Sequence, residues 1–507
     1  MADYNIIEIN TDKMHAPAVG QGQWENRACV YDSMRETNAP LVSIVVQAYN
    51  QLEKTKYCLE CILKYTVDVD YELILVDNGS TDGVLDFFKT VDYQKKIILH
   101  FTKNLGASYP FEIIRKVYKG KYLVMIATDT YVTKNWLSNL VRCLESEQMI
   151  GMVTPMCSNT SNLQAPSDFN YGSMEEMQEK AAEFNVPDSS KWQERMRLIT
   201  IASVYRREIF DEVGSFDYGY EHNFLDDDIS FRIRRAGYKI ILCGDTFVCH
   251  DHEYVVNSQR EMEKFQQALE EDRKSFREKF HGIDAWDDVN NFESNLLSYI
   301  KPARYQMCSQ INVLGVDVRC GTPIMEIRNL FRKAKINSDI YSLAFTTQAK
   351  YYEDLLTTAE DVYCDRIDFI QDYIANDSVD IILLGEPINN YHKPVSLLQK
   401  MFDLLKENGS MFFKLKNMDD FSSFLRMIGL NVSSDGEMSA RILPDEIKEC
   451  MSLFGAKEIK CVSEINQMSE NNMNLLKKVS PIDTNSQQFQ SMINQFQTGQ
   501  YLFYVTK

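Results

Sequence analysis

The chain has 507 residues, room for two or three domains, and its 44% apolar and 25% charged residues are an ordinary globular balance. Its 54 basic residues face 73 acidic ones, and the net charge of −19 disfavours nucleic acid or an anionic membrane surface as main partner. No run approaches the ~18 apolar residues of a membrane span, and the opening MADYNIIEIN has neither the basic nor the apolar stretch of a signal peptide. The twelve cysteines sit scattered in apolar contexts, as reduced thiols of a cytoplasmic protein do. Cys58 and Cys61, the one Cys-x-x-Cys, lie on a helical apolar face and are expected in a core.

Residues 1–39 show weak periodicity and are expected to form an irregular arm, with Trp24 and Tyr31 as packing points. Then LVSIVVQAYN (41–50) is a β-branched run ending in polar residues, and KTKYCLECILKYT (54–66) has helical spacing. YELILVDNGSTDG (71–83) is a second apolar strand closing on a turn-rich loop. KIILHFTKN (96–104) predicts a third strand, LGASYPFEIIRKVYKG a helix, and KYLVMIATDT (121–130) a fourth strand. Continuous apolar strands alternating with helices predict a mostly parallel, two-sided sheet. Three of these strands end in small polar or acidic residues, at 47–50, 77–80 and 128–130. Ligands of open α/β sheets bind beyond those carboxyl ends.

Residues 158–198 read as a polar, turn-rich insertion, and LITIASVYRREIFDEVGSFD (198–217) returns to strand-like, then helical texture. In HNFLDDDISFRIRRAGYKI (222–240), Asp226, Asp227 and Asp228 precede an apolar helix. One explanation is an acidic helix start, each carboxylate interacting favourably with the dipole by ~0.3–1 kcal/mol. The other is a general base held near a bound cation. A long charged helix is expected over 257–280, with Phe265, Leu269, Phe276 and Phe280 on one stripe, followed by a linker at 281–295. A second α/β pattern comprises QINVLGVDVRCGTP (310–323), INSDIYSLAF (336–345), VDIILLGEP (379–387), LLQKMFDLLKENGSMFFKLKN (397–417) and QYLFYVTK (500–507).

Seven segments between residues 40 and 252 carry a resemblance: VSIVVQAYNQ, YELILVDNGSTDG, NLG, ATDTYVTKNWLSNL, VGSFD, LDDDISFRIRRAGY and VCHDH. In order and spacing they resemble the family 2 glycosyltransferases, inverting enzymes of the GT-A fold that use nucleotide-diphosphate sugars. The resemblance implies that Tyr49 and Asp77 contact the donor's base and ribose and that Ala48 and Asn50 line that pocket. Asn104, Gly106 and Thr128 complete the expected nucleotide site. Asp129 matches the last acid of an Asp-x-Asp-like motif, written here ATDT, and is expected to bind Mn2+ or Mg2+ with His250; His252 is the alternative ligand. Ala127 stands where the first acid often sits. Counting back from Arg232 along the family's acidic pattern, roughly E-D-x-D-L-x-x-R, makes Asp226 the general base. Asp228 then orients Arg232 or the acceptor, and a one-residue shift exchanges Asp226 for Asp227. Arg206 and Arg207 are expected as exposed helix arginines or as phosphate neighbours. The donor implied is a UDP-hexose or UDP-N-acetylhexosamine, with dTDP and GDP sugars on the same fold. The acceptor is a hydroxyl of a surface glycan or of a protein such as a flagellar or surface protein.

From about residue 305 the chain resembles class I, S-adenosylmethionine-dependent methyltransferases, most closely over residues 377–417. The family's E-x-G-x-G-x-G loop reads DVRCGTP (317–323), keeping Asp317 and Gly321 but replacing glycines by Arg319 and Pro323. Side chains there obstruct the close backbone approach that glycines allow. The acid expected after the second strand is replaced, at Ala344. S-adenosylmethionine is therefore disfavoured as a cofactor. The domain is expected to bind the acceptor protein, a partner enzyme or a second copy, a bifunctional transferase and a dead scaffold being the alternatives. The expected fold class is α/β: an arm (1–39), a GT-A domain (40–256), a helical linker (257–304) and a Rossmann-like, methyltransferase-like domain (305–507).

Overall fold

The computed structural model describes residues 5–9, 40–220, 223–251, 259–427, 441–480, 483 and 486–507. They divide into two compact units, Met1–Asn290 and Asn291–Lys507. The strands of the first are β1 (Asn5–Ile9), β2 (Val42–Ala48), β3 (Tyr71–Asn78), β4 (Lys96–Phe101), β5 (Tyr122–Ala127), β6 (Thr130–Tyr131), β7 (Ile150–Cys157), β8 (Trp192–Glu194), β9 (Val204–Arg206) and β10 (Lys239–His250). They form one sheet in the order β1-β4-β3-β2-β5-β9-β7-β10-β6, with β8 beside β10. The pairs β1–β4, β4–β3, β3–β2, β2–β5 and β7–β10 are parallel, and β9 runs antiparallel between β5 and β7. Every residue of β3 is buried, the signature of a strand covered on both faces.

Helices pack on this sheet through the expected apolar stripes. Cys58 and Cys61 are buried in the Leu52–Tyr65 helix, so the Cys-x-x-Cys is a core face. Three local expectations are corrected. Asn5–Ile9 is a parallel edge strand in register with Ile97–Phe101, not an irregular arm. Its three isoleucines favour a strand, but five residues are too few to show a period. Trp24 and Tyr31 lie outside the described residues. The helix expected after LGASYP is only Phe111–Ile114. The insertion at 158–198 contains a helix, Met174–Phe184, whose N-cap Ser173 accepts a hydrogen bond from the Glu176 amide at 3.2 Å.

The helix Gln259–Lys279 packs against the helix Leu225–Arg235 in the first unit. Phe276 sits 5.2 Å from Phe231 and 5.6 Å from Phe224, ring centre to ring centre, and all three are buried.

The second unit contains β11 (Gln310–Val316), β12 (Asp339–Thr346), β13 (Asp361–Cys364), β14 (Val379–Leu384), β15 (Leu405–Lys416), β16 (Glu458–Ile465) and β17 (Thr498–Thr506). Their order is β13-β12-β11-β14-β15-β17-β16, with β17 antiparallel to both neighbours. Its first five strands repeat the doubly wound order 3-2-1-4-5. No helix of the described residues is long and apolar enough to cross a membrane.

Truncating Phe276 to Ala should cost about 3–5 kcal/mol of stability, because its cavity lies beneath the helix that carries the three aspartates. A chemical-denaturation midpoint equal to that of the parent chain would contradict this packing.

Candidate active site

In the first sheet β2 has β3 on one side and β5 on the other, so the strand order reverses there. Such a switch point is where open α/β sheets hold ligands. Gln47 is level with Ala127 at that junction, and Ala127 is exposed while Thr128 is buried. Just beyond, β6 pairs antiparallel with the end of β10, Thr130 opposite His250 and Tyr131 opposite Cys249. This short ladder sets Asp129 beside His250, with 3.7 Å between Oδ2 and Nε2. The Asp251 amide donates to the Asp129 carbonyl at 2.8 Å. The Asp251 carboxylate is committed elsewhere, accepting from the Tyr131 hydroxyl at 3.0 Å and pairing with Lys54 Nζ at 3.2 Å.

One carboxylate and one imidazole suit a divalent cation that takes its remaining ligands from water and a diphosphate. Among the described residues no group of three or more His, Cys, Asp or Glu side chains has ligand spacing. Asp129 and His250 are the two side chains that would hold such an ion, and Ala127 adds no further acid. His252 lies outside the described residues.

The loops after β2, β3 and β4 are tied to one another. Asn50 and Gln51 take the left-handed conformation, at φ 58° and 63°. The Asn50 amide donates to Ser80 Oγ at 2.9 Å, and Asn50 Oδ1 accepts from the Thr81 amide at 2.9 Å. Asn78 Nδ2 donates to Asn104 Oδ1 at 3.0 Å and to the Gly106 carbonyl at 2.9 Å. Gly79, at φ 80°, lets these loops touch, for a Cβ there would lie 2.5 Å from the Lys103 carbonyl carbon. Tyr49, Asn104 and Gly106 stand exposed above this framework.

Two of the expected pocket residues are corrected by burial. Ala48 is fully buried and lines no pocket with its side chain. Asp77 is also fully buried, and both of its oxygens are engaged. Oδ1 accepts from the Ser80 amide at 2.9 Å, capping the turn, and Oδ2 lies 2.7 Å from His100 Nδ1. His100, unlike Asp77, is partly exposed, with 23% of its side chain accessible. The structure sets it level with Asp77 on the adjacent strand, a register that the sequence alone does not give.

The three aspartates have three different environments. Asp226 is partly exposed and accepts a hydrogen bond from the Thr200 hydroxyl. β9 runs antiparallel, with Val204 level with Val124 of β5, so Thr200 and Asp226 lie at the carboxyl edge of the parallel strands. Asp227 is 4% exposed, and its Oδ1 lies 2.9 Å from Arg197 Nε. Burial pushes its carboxyl up to about 6, against the lowering effect of Arg197. Asp228 is fully buried between Arg232, 2.6 Å away, and Lys279 of the Gln259–Lys279 helix. Of the two partners expected for Asp228, Arg232 is the one it touches, and its side chain is closed off from the open edge. Arg232 in turn donates to the carbonyls of Gly214 at 3.3 Å and Ser215 at 2.9 Å. Asp217, joined to Lys279 at 2.6 Å, completes the cluster.

Arg206 is not an exposed helix arginine. It is 7% exposed and caps the Trp136–Ser146 helix, donating to the carbonyls of Leu144, Glu147 and Ile150. With Arg207 it lies at the end of β9, on the edge opposite the site.

At the corresponding point of the second unit, between β11 and β14, the chain's own loops touch. Gly385 packs so closely on the Asp317 carbonyl that a Cβ would stand 2.3 Å from its oxygen. The Asp317 carboxylate, 4% exposed, accepts from Tyr391 OH at 2.8 Å and from the Thr347 amide at 2.7 Å. Arg319 pairs with Glu386 at 3.3 Å across the β11 and β14 loops. Burial pushes the Asp317 carboxyl up and the Tyr391 hydroxyl well up. Asp317 is thus already engaged by Tyr391 and Thr347, and Arg319 and Pro323 stand where the methyltransferase loop carries glycines, a poor fit to S-adenosylmethionine. Ala344 is corrected too: it lies inside β12, level with Gly315, while the strand's end at Thr346 and Thr347 carries no acid.

Residues 43–214 match the family model described as glycosyl transferase family 2, so the first unit carries a domain of that family, with the GT-A fold. The chain is 33% identical over 110 residues to glycosyltransferase GlyG of Streptococcus pneumoniae, a match covering 21% of this chain and 36% of that protein. It is 26% identical over 139 residues to the UDP-Glc:alpha-D-GlcNAc-diphosphoundecaprenol beta-1,3-glucosyltransferase WfaP of Escherichia coli, covering 26% and 55%. The chain thus spans no more than about half the length of these relatives. A solved structure, mannosyltransferase PcManGT from Pyrobaculum calidifontis in complex with GDP-Man and Mn2+, overlaps it with a TM-score of 0.37 and 16% identity, covering 60% of this chain and 77% of that one.

Asp228→Asn leaves two buried cations short of a counter-charge, and breaking a buried pair costs about 3–5 kcal/mol. The variant should show a much lower denaturation midpoint. An unchanged midpoint would show that the cluster does not hold this helix.

Proposed function

We propose that the first unit is an inverting sugar transferase that moves a hexosyl or N-acetylhexosaminyl group from a nucleoside-diphosphate sugar, UDP-linked by preference, to a hydroxyl. The observation that carries this reading is Asp226. It is the one partly exposed carboxylate of its triplet, hydrogen-bonded by Thr200 at the sheet edge that also bears Asp129 and His250.

Asp226 takes the proton of the acceptor hydroxyl as its oxygen bonds to the anomeric carbon. The bond from that carbon to the diphosphate oxygen breaks, and the diphosphate leaves with the electron pair. Asp129 and His250 hold Mn2+ or Mg2+, which when bound supplies positive charge to the leaving diphosphate. Tyr49, Asn50, Asn104, Gly106 and Thr128 surround the nucleotide. Asp227 serves as a buried partner of Arg197, and Asp228 as the anchor of the helix.

The acceptor is a hydroxyl of a surface glycan or of a protein, reached in the cytoplasm. The name of the Escherichia coli relative, which acts on a diphosphoundecaprenol-linked sugar, supports the glycan. The second unit binds a protein partner, an acceptor or another copy, and transfers no methyl group, a reading supported by the Tyr391–Asp317 and Arg319–Glu386 contacts across its crevice.

Asp226→Asn should lower kcat by about 10²–10⁴-fold, the usual contribution of a positioned base, while donor-nucleotide Kd stays constant in calorimetry. Turnover at the parent rate would remove Asp226 from the mechanism. Chelation with EDTA should abolish transfer and added Mn2+ should restore it, with Asp129→Ala insensitive to the addition. Full activity in EDTA would show that Asp129 and His250 hold no metal needed for transfer.

A further inference from the structure

The second sheet ends in β16, which bonds β17 on one side and has no strand on its other side among the described residues. The register shows which groups that edge presents. The Asn417 amide donates to the Gly499 carbonyl and the Lys507 amide to the Gly409 carbonyl, each at 3.0 Å, so the odd-numbered residues of β17 bond β15. Its even-numbered residues bond β16, where Glu458, Lys460, Val462 and Glu464 stand level with Thr506, Tyr504, Leu502 and Gln500. The amides and carbonyls of Ile459, Cys461 and Ser463 therefore point outward, a template for one more strand. Val462 is 39% exposed and Ile465 59% along this edge.

A second copy of β16 fits the template in one register. Two antiparallel copies related by a two-fold axis must set outward-pointing residues against each other, so the axis passes through a residue. Charge then selects which one. Centred on Val462, the pairing places Lys460 of each copy opposite Glu464 of the other, and Ile459 opposite Ile465. Centred on Cys461 it places Glu458 opposite Glu464, and centred on Lys460 it places two lysines together. Centred on Ser463 it pairs no opposite charges. Unlike charges directly opposite stabilise a sheet and like charges destabilise it. Lys460 keeps 43% of its side chain exposed while pairing with Glu458 at 2.9 Å. Glu464 accepts from Asn295 and Gln500, and a carboxylate has room for further donors.

We propose that the second unit pairs with a second copy of this chain, β16 against β16, about a two-fold axis through Val462. The sheet then runs through both copies, held by backbone hydrogen bonds in the manner of an added strand. The inference rests on the reading of this unit as one that binds a protein, and it names the partner.

The test is sedimentation of the full chain over a concentration series, which should show a species of twice the chain's mass. Lys460→Glu sets like charges opposite each other twice across the axis and should raise the dimer's dissociation constant about tenfold or more. Adding Glu464→Lys to that variant should restore the dimer, a rescue that an unfolded strand cannot give. Val462→Cys tests the register. Facing residues of a non-hydrogen-bonded pair lie about 4.5 Å apart between Cα atoms, within disulfide range, so diamide should link two copies. Lys460→Cys stands four positions, about 13 Å, from its own copy and should crosslink no more than the parent chain. A dimer that Lys460→Glu does not weaken, or that Val462→Cys does not crosslink, overturns the proposal. A monomer that binds a purified acceptor protein through this unit overturns the proposal alone. A monomer that binds neither itself nor an acceptor protein overturns the protein-binding reading as well.

Discussion

A parallel pair of strands cannot be joined by a tight turn, so each connection crosses back along a face of the sheet and every strand ends at the same edge. That constraint organises the first unit. It gathers the ends of β2, β3, β4 and β5 into a single row of loops, and the β2/β5 junction leaves a gap between loops that turn opposite ways. Asn50, Asn78 and Asn104 then act as joiners, bonding one loop to the next at about 3 Å. Their side chains do for the loops what backbone ladders do for the strands.

The acidic helix shows how burial differentiates identical residues. Asp226, Asp227 and Asp228 are consecutive, so helical geometry points them about 100° apart around the axis. One faces the open edge, one faces Arg197, and one faces a closed cluster with Arg232 and Lys279. The structural role and the proposed catalytic role therefore fall on different members of the triplet. The aromatic packing of Phe224, Phe231 and Phe276 fixes the helix on which all three depend.

Much of this was legible in the sequence because the strands are long and apolar and their polar ends are adjacent in the chain. The two α/β patterns, the edge carrying the polar groups and the meeting of Asp129 with His250 all followed from such local texture or from family resemblance. The ladder joining Thr130 to His250 spans 120 positions, so family resemblance, not local texture, carried the Asp129–His250 pairing. What failed was what depends on neighbours far along the chain: Asp77, whose exposure is set by His100 on the next strand, and Lys279, which reaches Asp228 from another helix. Asn5–Ile9 was missed for a different reason: its partner strand, not its own period, makes it a strand. Ala344 was misjudged because β12 runs two residues past it, to Thr346.

The closed crevice of the second unit bears on how that unit endures. A fold that leaves a cofactor site open gains stability only as ligand concentration exceeds the dissociation constant. Here Tyr391 and Thr347 satisfy the Asp317 carboxylate from within, and Arg319 answers Glu386. These bonds lie within one chain and contribute to its stability without any ligand. The same contacts join the ends of β11, β12 and β14 through the chain's own side chains.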